Sequence, residues 1–487
     1  MNLAEALDFH ARSQPDKVAL IKGDEVIDYR SFAARVRGCA RRLNAAGLEP
    51  GALVGVCVKD TVGHITVIYA LARLGVVMLP MDVRWNEEEK LRLVAHFKPA
   101  AVIVEPGAEE LSDCPCLSID TLAGETLAGE AGGDAPMAGG AEIPLLLSLS
   151  SGTTGRPKGP RITHEQMLCR FRTHWINLGF NADDRYVSAT PLYFGGGRTF
   201  AMSVLFAGGT LVLFPPPFKV HDLPPEIERV KATSIFLVPT QLRKLLEEDA
   251  SVLEAMSSLR LLISSGSPLF PQERVEIRER ICPNLIEYYA STEGGGVSIS
   301  KPSDQMRHGD SVGRAIFAVE IEIVGDDHMA LPAGQIGRLR YRGPGVATAY
   351  FNDEDASRDA FRDGWFYPGD LAERNADGFV FLRGRAKDMI IRGGVNIHPG
   401  EVEEILSTHP QVSETAVVGR PSKVLGEEVA AFVVAKGNVE PAELIAWCKE
   451  RLAPYKVPVE VVLRDGLPKN SSGKVLKKDL VALFAAV

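Results

Sequence analysis

At 487 residues the chain is too long for one ordinary core, and its 45% hydrophobic content can fill two or more domains. A net charge of −9 argues against nucleic acid or an anionic membrane surface as the main partner, because both need a basic footprint. Seven cysteines without a repeated pairing pattern indicate reduced thiols, and no apolar run has signal-peptide or membrane-spanning length, so a cytoplasmic protein without stable membrane association is expected.

Through the first two-thirds, apolar strand-like runs alternate with helical patterns. Val54–Val58 precedes the helical Ile65–Leu74, Val76–Pro80 precedes the charged helical stretch Glu87–His96, and Ala101–Val104 follows. Cys114-Pro-Cys116 lacks a second pair or nearby histidines and is expected to be an ordinary loop, and the tandem Thr-Leu-Ala-Gly-Glu at 121–130 a surface loop. Later strands are Thr210–Phe214, Ser234–Val238 and Leu259–Ile263, the last followed by the helix-like Pro271–Arg280. This rhythm predicts an α/β fold of layered, largely parallel sheets. From about Val312 to Arg342, strand signals broken by turns predict a smaller β-rich subdomain. Beyond Gly384-Arg385, strands at Thr415–Val418 and Val429–Val434 with a helix near Pro441–Leu452 predict a compact α+β second domain.

One loop carries most of the chemical information. After the strand-like Ile143–Leu147, residues 148–159 read Ser-Leu-Ser-Ser-Gly-Thr-Thr-Gly-Arg-Pro-Lys-Gly. Gly152 and Gly155 let backbone N–H groups approach an anion, the hydroxyls of Ser150, Ser151, Thr153 and Thr154 donate to its oxygens, and Arg156 and Lys158 supply charge. That composition holds phosphate. It is not a Walker loop, since no Ser or Thr follows the lysine to hold a metal.

Four further segments accompany the loop: Tyr288-Tyr-Ala-Ser-Thr-Glu293, Trp365-Phe-Tyr-Pro-Gly-Asp370, Gly384-Arg-Ala-Lys-Asp-Met-Ile-Ile-Arg-Gly-Gly394, and Pro468-Lys-Asn-Ser-Ser-Gly-Lys474. In order and spacing the five resemble the signature of the adenylate-forming superfamily, which comprises acyl- and aryl-CoA synthetases, peptide-synthetase adenylation domains and beetle luciferase. The resemblance spans nearly the whole chain. It implies a large domain over 1–386, a hinge at Lys387 and a mobile lid domain over 387–487.

The same resemblance implies ATP, Mg²⁺ and coenzyme A as cofactors and a small-molecule carboxylic acid as substrate. The acid would be activated as an acyl-AMP and passed to coenzyme A. Thr292 would meet the α-phosphate, Glu293 would help hold Mg²⁺, and Tyr289 would pack on adenine within the segment Tyr288, Tyr289, Ala290, Ser291. Gly266, Ser267 and Pro268 would line the adenine and acyl sites. Asp370 would accept both ribose hydroxyls with Arg385 as companion, and Asn396 would stand near the nucleotide. Lys474 would sit between the acyl carboxylate and the α-phosphate, and Gly393-Gly394 would approach the pantetheine channel. The protein partners compatible with this reading are a second copy of the chain, as a homodimer, and a lysine acetyltransferase acting on Lys474.

The chain departs from the family at the acyl site. Where the family has Pro-Leu-Phe-His, this sequence has Pro191-Leu-Tyr193-Phe194, so phenylalanine stands at the family's histidine position. Gly195-Gly-Gly197-Arg198 follows. The glycines suit either a widened pocket, with Arg198 meeting a second carboxylate, or a plain helix start, and the plain start is the expectation. An acyl- or aryl-CoA synthetase is the leading reading, and an enzyme loading a separate carrier protein is the alternative.

Overall fold

The innermost strands of the large domain are nearly all apolar because they are covered on both faces. Val77–Pro80, Ala101–Val104, Thr210–Leu213, Ser234–Leu237 and Leu261–Ser264 are buried at every position. The computed structural model describes residues 1–108, 111, 114–124, 136–149, 158–469 and 475–485.

Two sheets make the large domain's layers. The first runs in the order Cys116–Ser118, Ala101–Val104, Leu53–Cys57, Val77–Pro80, Pro144–Leu147, Arg161–Thr163, parallel except for the last pair. The second has nine strands in the order Arg314–Ala315, Gly295–Ser300, Leu285–Ser291, Leu261–Ser264, Ser234–Leu237, Arg185–Ser188, Thr210–Leu213, Val18–Lys22, Glu25–Asp28. Its middle is parallel and both edges are antiparallel.

Alternation along each strand decides which layer a side chain joins. Phe236, Ile263 and Tyr288 enter the core shared with the first sheet, which also contains the helices Tyr29–Ala45, Val62–Leu74, His164–Leu178 and Gly195–Phe206. Ile235, Leu237 and Leu262 enter a second core on the other face, under Leu223–Val230, Pro239–Leu246 and Pro271–Arg280.

The β-rich subdomain reaches further than the sequence pattern suggests. Its antiparallel sheet joins Glu320–Val324 and Gly337–Arg342 to Phe361–Arg362, Trp365–Phe366, Asp370–Arg374 and Val380–Arg385, so it runs past the expected end at Arg342. Two of the added strands have only two residues each, too few to establish a period of two.

The C-terminal domain folds around Gly426–Ala435, which pairs with Val412–Ser422, Ile390–Arg392 and, in parallel, Glu460–Leu463. Its main core draws on residues between Ile390 and Val461. Among the described residues, no helix is long and apolar enough to cross a membrane.

Candidate functional site

The site is built where strands of the nine-stranded sheet end, the usual ligand position of α/β folds. Strand Leu285–Ser291 turns through residues 292–294 into Gly295–Ser300, with Ser291 opposite Gly295. Thr292 and Glu293 therefore sit at the tip of a hairpin. The tip admits no side chain at its glycines: a Cβ on Gly294 would lie 2.2 Å from the Tyr341 hydroxyl, and one on Gly296 would lie 2.0 Å from the Tyr288 hydroxyl. Ser291 Oγ meets the Tyr341 hydroxyl at 2.5 Å and accepts from Gly294 N–H at 2.9 Å.

Neighbouring tyrosines on this strand face opposite ways. Tyr288 is buried against Phe200, its hydroxyl 3.2 Å from His174 Nε2. Tyr289 turns to the other side, where its hydroxyl donates to Asp370 Oδ2 at 2.5 Å. Burial and the Asp370 charge raise the Tyr289 pKa well above the ordinary phenol value, so it stays a donor. Asp370 lies across from Arg385 in the β-rich sheet, and Arg385 Nε is 2.9 Å from Asp370 Oδ1. Both carboxylate oxygens are thus engaged, although each retains a further acceptor site.

Glu293 is a buried carboxylate whose Oε1 accepts a 3.0 Å hydrogen bond from Tyr350. Lys158 Nζ lies 5.3 Å from the centre of the Tyr350 ring. Tyr350 itself is aligned with the chain leading into strand Arg161–Thr163 through its bridge to Pro160 and the bond from Phe351 N–H to Gly159 O at 2.9 Å. Lys158 and the hairpin-tip carboxylate therefore share one tyrosine. Among the described residues no group of three or more His, Cys, Asp or Glu side chains is arranged to hold an ion. A lone carboxylate fits magnesium, which keeps several waters and is bound through one or two carboxylates plus substrate phosphates.

Sequence reasoning missed Tyr350, and it also missed Arg170. Thr163 and Gln166 cap each other's backbone at the start of helix His164–Leu178, which carries Arg170 into the interior. Arg170 donates to Gly345 O at 2.9 Å, Glu293 O at 2.7 Å and, more loosely, Thr292 O at 3.4 Å. Burial lowers its pKa to about 10. Gly343-Pro-Gly345 reads in sequence as a turn and carries no sign of this contact.

In the segment expected to line the acyl site, Phe194 occupies the N-cap of helix Gly195–Phe206 without a side-chain cap bond, and its ring lies 4.7 Å from that of Tyr193. Gly197 is required for close packing, since a Cβ would stand 2.4 Å from Pro191 O. Arg198 is fully buried and donates back to Leu192 O at 2.9 Å, Tyr193 O at 3.1 Å and Ser148 Oγ at 3.3 Å. These contacts fit the plain helix start. Gly196 is exposed and faces Phe236, whose ring would stand 3.2 Å from a Cβ there.

Gly266, with φ +102°, follows strand Leu261–Ser264, and its ideal Cβ would lie 3.9 Å from Val238; Ser267 and Pro268 come next, Pro268 O accepting from Arg243 at 3.1 Å. Lys387 is exposed in a single turn, Ala386–Asp388, directly after strand Val380–Arg385. Gly393 and Gly394, with φ +57° and +83°, form the turn between Ile390–Arg392 and Val395–Ile397, and Asn396 lies on the latter strand. Ser150, Ser151, Gly152, Thr153, Thr154, Gly155 and Arg156 lie outside the described residues, as does Lys474; Lys469 and Val475, on either side of the latter segment, form an antiparallel bridge.

The family model for AMP-binding enzymes matches residues 7–351, and that for the AMP-binding enzyme C-terminal domain matches residues 401–474. The chain is 33% identical to indoleacetate–CoA ligase of Aromatoleum aromaticum, over all of this chain and 98% of that protein. ATP-bound MatB from Rhodopseudomonas palustris superimposes with a TM-score of 0.91 at 29% identity, covering 99% of this chain and 98% of that one. The o-succinylbenzoate CoA synthetase of Bacillus subtilis, in complex with its acyl-adenylate intermediate, superimposes with a TM-score of 0.89 at 29% identity, covering 98% and 97%.

Proposed function

The chain belongs to the AMP-binding enzyme family, and from that premise we propose that it is the ligase of an aromatic carboxylic acid, joining it to coenzyme A. It is an AMP-forming acid–thiol ligase. In the first half-reaction a carboxylate oxygen bonds to the α-phosphorus of ATP while the α–β bridging P–O bond breaks and pyrophosphate leaves. In the second, the coenzyme A sulfur bonds to the acyl carbon and the acyl C–O bond breaks, releasing AMP. The carboxylate is a poor nucleophile repelled by the triphosphate, so the protein's work is to cancel charge and align reactants.

The carrying observation is the Lys158–Tyr350–Glu293 contact, which sets the exit of the phosphate loop beside the hairpin-tip carboxylate. In this reading Ser150 to Gly155 and Lys158 hold the departing phosphates. Thr292 meets the α-phosphate, and Glu293 holds Mg²⁺, which adds positive charge at the phosphates when bound. Tyr289 packs on adenine beside Gly266-Ser267-Pro268. Asp370 accepts the ribose hydroxyls while Arg385 fixes its orientation. Lys474 acts at the reacting carboxylate. Residues 387–487 form a lid turning on Lys387, which brings Gly393-Gly394 to the thiol.

An aromatic acid is supported by the indoleacetate and succinylbenzoate named for the two similar ligases. The test is to incubate purified protein with ATP, Mg²⁺, coenzyme A and a panel of aryl, arylacetic, fatty and dicarboxylic acids, following AMP and free thiol. Thiol loss with aryl or arylacetic acids is expected. AMP formation with fatty acids alone would overturn the aromatic assignment, and AMP without thiol loss would turn the reading toward a carrier protein as acceptor.

A further inference from the structure

Arg170 occupies a position that the family's chemistry does not explain. A buried guanidinium is costly unless its donors are met, and here they are met by main-chain carbonyls of two segments far apart in sequence, Thr292–Glu293 and Gly345. Glu293 O accepts from Arg170 and also from Ala347 N–H at 2.9 Å. The Glu293 carboxylate, in turn, accepts from Tyr350 of the same 345–350 segment. Main chain and side chain of Glu293 are therefore both fastened to one loop, and Arg170 is the fork that joins loop to hairpin.

Glycines make room for that fork. A Cβ on Gly295 would stand 2.9 Å from Arg170 Cδ, and one on Gly345 would stand 3.0 Å from Arg170 Cγ. The helix supplies a single rigid mount, because Arg170 lies mid-way along His164–Leu178. Lysine could not reproduce the arrangement: its ammonium is a point donor without the planar fork that reaches several acceptors at once.

We propose that Arg170 is a positioning residue for adenylation, setting the hairpin tip so that Glu293 and Thr292 present the metal and the α-phosphate in register. The inference rests on the reading of Glu293 as the magnesium carboxylate. Arg170 touches neither substrate nor metal. It acts through the backbone that carries both residues, as outer-shell partners do at metal sites.

The test compares Arg170→Lys, Gly345→Ala and Glu293→Gln with the wild type in two separate assays. One titrates Mg²⁺ against acid-dependent pyrophosphate release; the other supplies synthetic acyl-AMP with coenzyme A and measures thioester. Arg170→Lys is expected to raise the Mg²⁺ concentration for half-maximal adenylation by about 10-fold or more while converting supplied acyl-AMP near the wild-type rate. Gly345→Ala, which crowds the arginine without removing it, should shift the Mg²⁺ dependence in the same direction by less, and it carries the test if Arg170→Lys shows no cooperative melting.

Equal losses in both assays would mark Arg170 as merely structural and overturn the proposal. An unshifted Mg²⁺ dependence in Arg170→Lys would do the same, provided Glu293→Gln shifts it. If Glu293→Gln leaves it unchanged, the magnesium reading of Glu293 falls first and the inference falls with it.

Discussion

The Tyr289 hydroxyl donates to Asp370 Oδ2 across 2.5 Å, so the strand leading to the hairpin tip and the first residue of a β-rich strand are tied together 81 positions apart. The ribose carboxylate of the proposed site is thereby oriented before any nucleotide arrives, by Tyr289 on one oxygen and Arg385 on the other.

Asp370→Ala should weaken ATP binding by about 10- to 100-fold, the loss of one or two hydrogen bonds to a charged acceptor at roughly 1.5–3 kcal/mol each, partly offset by water. Tyr289→Phe keeps the ring and loses only the anchor on Asp370, and its effect should be smaller. Isothermal titration with ATP measures both; an unchanged affinity in Asp370→Ala would remove that residue from the nucleotide site.

Lys474→Ala should lower pyrophosphate release by about 10²- to 10³-fold, or roughly 3–4 kcal/mol of transition-state stabilisation. Supplied acyl-AMP should still be converted near the wild-type rate, because the proposed contact is with carboxylate and α-phosphate. Acetylation of Lys474 removes the same charge and should give the same pattern. Equal loss in both half-reactions would speak against this role.

Lys387→Pro fixes φ at the exposed turn between the β-rich sheet and the C-terminal domain. Acyl-AMP should still accumulate, and its transfer to coenzyme A should slow. Single-turnover kinetics with labelled acid separates the two steps, and a variant unaffected in transfer would place the hinge elsewhere.

Acid should destabilise the large domain in part through His164. Its Nδ1 accepts from Leu3 N–H at 3.1 Å, and burial lowers its pKa from 6.5 to about 4. Between those values the unfolded chain binds a proton that the folded one refuses. Stability is therefore full above pH 6.5 and is lost as pH falls toward 4, by about 3 kcal/mol in all. His164→Asn, which keeps an acceptor but cannot titrate, should show a flatter dependence of urea-unfolding free energy on pH in that window. Parallel curves for the two proteins would rule this out.

How far the sequence could be read depends on the distance over which each contact acts. Ala101–Val104 and the helix Pro271–Arg280 are found where local patterning places them, because burial on both faces or a proline at the helix start is written within a few residues. Thr292 and Glu293 fall at a strand's end for the same reason: strand, turn and glycines are consecutive. Tyr350 and Arg170 could not be read in this way. Tyr350 meets Glu293 from 57 residues away and Arg170 meets it from 123, and neither has a periodic or turn-forming neighbourhood that marks it. The Tyr193–Arg198 segment was legible in part, since Phe194 announced itself by replacing the family's histidine, whereas the burial of Arg198 beneath its own loop depends on the packing of Ser148 against the helix.

The hairpin tip changes what a routine mutational scan would report. Alanine is chosen as a blank because it removes a side chain, but at Gly294 and Gly296 it adds one, into the hydroxyls of Tyr341 and Tyr288. A scan would therefore score these two positions alongside the acids and cations of the site, although neither glycine bears a functional group. Their information lies in the volume they leave to their neighbours. An engineer reshaping substrate choice would do better at Gly196, where a methyl group would press only on the Phe236 ring, leaving the hairpin's three consecutive glycines untouched.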